Sequence, residues 1–276
     1  MANSSELQVR VITPHDGTDA FRYAFTSTLR DWKFSRELAW RMFIRDTKAT
    51  FRGSFLGWLW IILPTLANSL VWIFLSGSNV ININTGSIPY PIFVLTGNLL
   101  WTAFSLCLTS GLGVLQEAQG TLSKVNFPHE SLLLVALYKT ALNVGITMLL
   151  LPPLLLLYPV EARWEILLFP VGVLVTMFCG LSVGLALLPF AALFQDLSRA
   201  VHLGMRFGFF LTPVVFPLPS SGTARYLMDW NPVTSLIVTS RAWLLGGETP
   251  QLLAFCIVSV ISLFLFVVGL LAMKVA

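Results

Sequence analysis

Apolar runs of membrane-crossing length dominate this chain and leave few folds open to it. A bilayer-spanning helix needs about 20 mostly apolar residues. Runs of that kind occupy residues 54–75, 91–115, 131–157, 165–189 and 251–273, and a shorter one occupies 203–218. The short run has about 16 residues, a rise of only ~24 Å as a helix. It contains Pro213 and Pro217, so it is expected to tilt little, break, or continue into the segment after it. Charged residues make up 11% of the chain, against about a quarter in soluble domains. No stretch remains for a soluble catalytic domain. The expected fold is therefore an all-α integral membrane protein with six transmembrane helices.

Charge sets the expected orientation. Nine of the 17 Lys and Arg residues precede residue 53, from Arg10 to Arg52. With Lys124, Arg199, Arg206 and Lys274 they put 13 positive charges on one side, against Arg163, Arg225 and Arg241 on the other. Positive residues stay in the cytoplasm, so both termini are expected there. Residues 1–50 show no apolar segment followed by a small-residue cleavage site, which agrees. A basic segment beside a span sets topology and touches anionic lipid, so the net charge of +4 is not read as nucleic-acid binding.

Two segments outside the long runs carry their own patterns. Over residues 31–52, Lys33, Glu37, Arg41, Arg45, Lys48 and Arg52 form one stripe at helical spacing, while Trp40, Phe43, Thr47 and Phe51 gather on another side. This predicts an amphipathic helix on the cytoplasmic face, lying in the headgroup layer or docking a cytoplasmic partner. Residues 217–250 are too apolar for a solvated loop. Asn231 then Pro232 is a helix start, and Gly246-Gly247 a helix end. About 14 residues is too short to span, which predicts two short helices dipping into or lying on the outer leaflet. The chain thus divides into a cytoplasmic segment, 1–52, and a membrane domain, 53–276.

Several chemistries are disfavoured. There is no G-x-x-x-x-G-K-[ST] loop for nucleotide phosphates. Cys107, Cys179 and Cys256 lie apart in apolar runs, and His15, His129 and His202 are scattered, so neither a disulfide framework nor a metal site is expected. Glu117, Glu130, Glu165 and Asp196 all sit at span ends. An ion-coupled carrier usually needs a carboxylate inside a span. A membrane-embedded transferase acting on lipid-linked sugars would need a polar cluster near an interface, and none stands out. Lys139 is the one charge within a span. Its stem can snorkel to the headgroups, or it can meet an anionic substrate group near the cytoplasmic entrance.

The sequence Arg52-Gly-Ser-Phe-Leu-Gly-Trp-Leu-Trp60, followed by Pro64, resembles the start of the first span in ABC-2 type permeases, the membrane subunits of ABC exporters for O-antigen, capsule and teichoic acid. Lys124-Val-Asn-Phe127-Pro128, Phe194-Gln-Asp196 with Arg199, Thr212-Pro213-Val-Val-Phe216, and Asn231-Pro232 resemble that family's later motifs in the same order. Gln195 stands where the family usually has Arg, and His129-Glu130 where a basic residue is common.

The resemblance implies a homodimer working with two copies of a separate ATPase subunit that holds ATP and Mg, no cofactor on this chain, and a lipid-linked glycan as cargo in the bacterial inner membrane. It makes Arg41, Arg45, Glu117, Lys124, Phe127, Asp196 and Arg199 candidates for coupling to the ATPase. Trp58, Trp60, Trp72, Trp101, Phe104 and Lys139 become candidates for the glycan path, although Trp at span ends is mostly an interfacial anchor. Tyr226, Trp230, Asn231 and Pro232 become candidates for an outer lid. A permease of this family for a drug or another lipid remains open on these residues.

Overall fold

A computed structural model describes residues 35–81, 83–86, 88–122, 129–158 and 164–275. The elements are α1 (35–51), α2 Leu59–Gly77, α3 Tyr90–Leu122, α4 His129–Met148, α5 Leu151–Leu157, a 3-10 turn Trp164–Leu168, α6 Phe169–Leu193, α7 Gln195–Gly208, α8 Thr223–Trp230, α9 Pro232–Leu245 and α10 Leu252–Val275. No strand occurs among the described residues.

Among the described residues, five stretches are long and apolar enough to cross a membrane: Leu59–Gly77, Tyr90–Val114, Glu130–Leu157, Trp164–Leu193 and Leu252–Met273. They match five of the six apolar runs. The third is interrupted after Met148, just before Pro152 and Pro153. Those two residues have no N–H for the carbonyls four positions back. At 33 residues, α3 is about 50 Å long. It outruns a hydrocarbon core of about 30 Å, so one end projects beyond the membrane.

The run at 203–218 is not one helix. The amphipathic α7 ends at Gly208, and turns and bends follow through Phe216. The cause is local. Pro213, Pro217 and Pro219 each remove an N–H, so in a continuous helix the carbonyls of Phe209, Pro213 and Val215 would have no donor four residues on.

The bundle is organised around α3 and α6, whose mutual contact is the most extensive. Glycines allow it. A Cβ on Gly180 or Gly184 of α6 would overlap the Phe104 or Leu108 carbonyl of α3, and Gly111 of α3 sits tight against the Leu181 carbonyl. This G-x-x-x-G spacing lets two membrane helices approach backbone to backbone. On the other side of α6, Gly269 lets α10 lie against Leu185. The second helix, α2, turns Thr65 and Ser69 inward. There Asn98 of α3 donates to Ser69 Oγ at 2.8 Å and accepts from Asn68 at 2.9 Å.

The two short helices near the C-terminus form as expected, α8 and α9. Asn231 caps α9 by accepting from the Val233 N–H at 3.0 Å. Gly246 ends it in the left-handed conformation, φ 69°. Of the two, α8 stays exposed, with Met228 its one buried residue, while α9 lies inside the bundle. Most of α9 is buried, packed against α6, α10, α3 and the 3-10 turn, with Gly172 of α6 opening space for Ser240.

Candidate functional site

The amphipathic helix α1 forms from residue 35, and positions 31–34 of the expected helix, including Lys33, lie outside the described residues. Its charged stripe is exposed as expected. The buried face is narrower than the aromatic grouping suggested: Ser35, Ala39 and Phe43, at four-residue spacing. Ala39 packs on Leu134 and Val135 of α4. The rings of Trp40 and Phe43 lie 5.6 and 5.8 Å from that of Tyr138. This apolar seam fastens one end of α1 to α4.

An ion pair fastens the other end. Lys139 Nζ lies 2.9 Å from Asp46 Oδ2. Arg45 donates to the other oxygen of Asp46, from Nη2 at 2.8 Å. Every other ion pair between two described residues is confined to one helix, at spacings of one to four. So Lys139 neither snorkels alone nor stands free for a substrate. It ties α4 to the interface helix.

Partial burial works to raise the Asp46 carboxyl, but the hydrogen bonds and charges of Lys139 and Arg45 outweigh it and hold it below its ordinary 3.8. Such a group stabilises the fold above its unfolded pKa and loses that contribution as pH falls through the folded value. Asp46→Asn should therefore lower the thermal midpoint in detergent near pH 7. The gap to the parent protein should close as the buffer is taken below about pH 4. A gap independent of pH would mean that Asp46 acts through packing alone.

Between α1 and α2 the chain turns sharply at residues 52–58. Gly53 and Gly57 have φ of 81° and 49°, a region that L-side chains rarely adopt. Ser54 Oγ accepts from the Gly57 N–H at 3.0 Å. The turn folds Trp58 back onto Phe51, with ring centroids 4.5 Å apart and stacked. A groove of about 720 Å³ opens here, lined by Arg45, Thr47, Lys48, Ala49, Phe51, Arg52 and Trp58. Three cations beside a stacked aromatic pair can hold an anionic group while a ring face packs on a sugar or an acyl chain.

The remaining candidates fall in separate places. Arg41 pairs with Glu37 on the exposed face of α1 at 2.6 Å. Asp196 and Arg199 pair with each other at 3.2 Å on exposed α7. Glu117 sits near the projecting end of α3, its side chain outside the description, and Lys124 and Phe127 also lie outside the described residues. Trp58 and Trp60 are about half exposed, at 47% and 55%. Trp72 packs against Phe210 and Phe216. Trp101 and Phe104 are core residues, 8% and 4% exposed, and within one subunit they present no ring to a path. Tyr226 and Trp230 are exposed neighbours on α8, 6.0 Å apart.

The sequence reading placed Arg241 among the charges of an outer loop. The structure puts it on buried α9 at 5% exposure. Its position inside the capped 231–246 helix was the available signal, and it marks a helical arginine without telling whether that helix is buried.

The match to known proteins extends over the same elements. Residues 37–245, from α1 to the end of α9, match the family model described as ABC-2 type transporter. The chain belongs to that family. It is 32% identical to the O-antigen export system permease protein RfbA of Myxococcus xanthus over 226 residues, covering 80% of this chain and 86% of that one. It is 24% identical to the polysialic acid transport protein KpsM of Escherichia coli over 237 residues, 83% and 89% of the two chains. A third relative, the O-antigen export system permease protein RfbA of Klebsiella pneumoniae, is 25% identical over 210 residues, 74% and 78%. As an ABC-2 type transporter protein with five membrane-length apolar stretches among its described residues, the chain is a multi-pass membrane protein.

Proposed function

We propose that this chain is the permease subunit of an ATP-driven exporter that moves a lipid-linked polysaccharide, an O-antigen or related glycan, out of the bacterial cytoplasm across the inner membrane. The observation that carries this reading is the groove between α1 and α2. Its cations, Arg45, Lys48 and Arg52, and the stacked Phe51–Trp58 pair match the two parts of such a substrate, an anionic phosphate linkage and a sugar. Similarity to O-antigen and polysialic acid transport permeases supports the cargo class.

In this reading two copies of the chain pair, and two copies of a separate ATPase subunit bind ATP and Mg. Both termini lie in the cytoplasm. The exposed stripe of α1, the projecting end of α3 near Glu117 with Lys124 and Phe127 after it in the sequence, and the start of α7 with Asp196 and Arg199 form the surface that receives the ATPase stroke. The short helices α8 and α9 sit at the outer end, with Tyr226, Trp230, Asn231 and Pro232 around the exit.

Purification of the tagged chain from mild detergent should bring an ABC ATPase subunit with it, and deletion of the gene should trap a lipid-linked glycan on the cytoplasmic side. Reversing Arg41 and Arg45 together should leave ATP hydrolysis running while export falls at least about tenfold. Under conditions that preserve complexes, recovery of the chain with no ATPase would sink the reading. A deletion strain with normal surface glycan would point instead to a permease for another cargo.

A further inference from the structure

The most unusual group in the molecule is Arg241. It is buried on α9, and no carboxylate of a described residue pairs with it. A buried cation without a counter-ion is costly and needs strong compensation. Its partners are backbone carbonyls. Nη1 donates to the Pro213 carbonyl at 2.9 Å and Nη2 to the Val214 carbonyl at 3.0 Å. The guanidinium carbon lies 3.7 Å above the ring of Phe93, a cation–π arrangement that strengthens in a dry site. Gly97 completes the place, because a Cβ there would overlap both Nη2 and the Val214 carbonyl.

These contacts answer a need set by the sequence. In a regular helix the Pro213 carbonyl would take its hydrogen from residue 217, which is proline, and the Val215 carbonyl from residue 219, also proline. Water is scarce inside a membrane bundle, so such carbonyls need donors from elsewhere in the protein. Side chains of α9, its capping residue and α3 reach these two carbonyls and their neighbours in the broken segment. Arg241 serves Pro213 and Val214, Tyr90 reaches the Val215 carbonyl at 3.3 Å, and Asn231 reaches the Leu211 carbonyl at 3.3 Å and Thr212 Oγ1 at 2.9 Å. Arg241 is the donor that spans two consecutive carbonyls, one from each terminal nitrogen of its rigid planar fork.

We propose that Arg241 is the positioning residue of the broken 209–217 segment: it replaces the hydrogen bond that Pro217 denies the Pro213 carbonyl, holds the neighbouring Val214 carbonyl as well, and so pins this segment to α9 and α3. The segment cannot change shape without releasing the guanidinium. For its export readout the proposal rests on the transport reading above; its stability readout does not.

The test uses the full chain in its membrane complex. Arg241→Met keeps an unbranched apolar stem and removes the donors. It should lower the thermal midpoint and cut export about tenfold or more, with Arg241→Lys in between, since one ammonium cannot hold two carbonyls in that geometry. Gly97→Ala should act in the same direction while leaving Arg241 in place, which covers the case in which the Met variant fails to accumulate. Pro217→Ala returns an N–H to the position whose donor the Pro213 carbonyl lacks. It should recover stability in the Arg241→Met background, and in Gly97→Ala if that alone accumulates, but add little to the parent protein. An Arg241→Met protein with parental stability would overturn the proposal. So would an equal effect of Pro217→Ala in both backgrounds, including none. Loss of export in every variant with unchanged midpoints would also overturn it. If the parent itself shows no ATP-dependent export, the transport reading fails while the stability comparison still stands.

Discussion

Leucine at Gly184, or at Gly180, should leave almost no folded permease in the membrane. At these two positions of α6 the neighbour is not a side chain that can swing away but the backbone of α3, the Phe104 and Leu108 carbonyls. Overpacking a core that can adjust costs about 1–3 kcal/mol. Here the helices themselves must separate, along the most extensive contact in the molecule, so the cost exceeds that range and takes a large part of a stability of about 5–15 kcal/mol. Gly145 of α4 offers the matched control, since a Cβ there meets nothing within 4 Å. The measurement is the monodisperse fraction after extraction in mild detergent, with the thermal midpoint of what survives. Gly145→Leu should behave like the parent. Equal yields for all three variants would show that close α3–α6 packing is dispensable.

The second large effect concerns the tie between α1 and α4. Lys139→Asp places two carboxylates face to face where the 2.9 Å ion pair now stands. Exposed ion pairs are worth only about 0–1 kcal/mol, so the variant should still fold, because the Ala39–Leu134–Val135 seam remains. The interface helix would then be fastened at one end only. If the chain works with an ATPase subunit as proposed above, export should fall about tenfold while ATP hydrolysis continues, and Asp46→Lys added to Lys139→Asp should restore most of it. Arg45 would face a lysine in that double variant, so recovery should be incomplete. A double variant no better than Lys139→Asp alone would show that Lys139 acts elsewhere, for example on the substrate.

These residues show where reading the sequence succeeds and where it stops. The five long spans, the amphipathic α1 and the capped helix at 231–246 were legible because each depends on local pattern: run length, helical spacing, an Asn-Pro start and a glycine end. The G-x-x-x-G of α6 was also present in the sequence, but its partner was not. The fate of the run at 203–218 was half legible. Its prolines announce a break, yet they do not say which residues take over the orphaned carbonyls. Trp101 and Phe104 illustrate the limit for aromatics, since burial in a core and lining of a path leave the same letters in a chain.

The apolar runs by themselves determined that this protein crosses a membrane as helices, because backbone polar groups in lipid must be satisfied within each segment. Charge asymmetry set the expected orientation, and the motif at 52–60 with the four that follow it pointed to the family. Only the tertiary structure decided that Lys139 spends its charge on Asp46, that the two glycines of the 52–58 turn bring Trp58 onto Phe51 beside three cations, and that Arg241 belongs inside the bundle. Each of those depends on which residues distant in the chain meet in space. Run length, spacing and net charge hold no record of that.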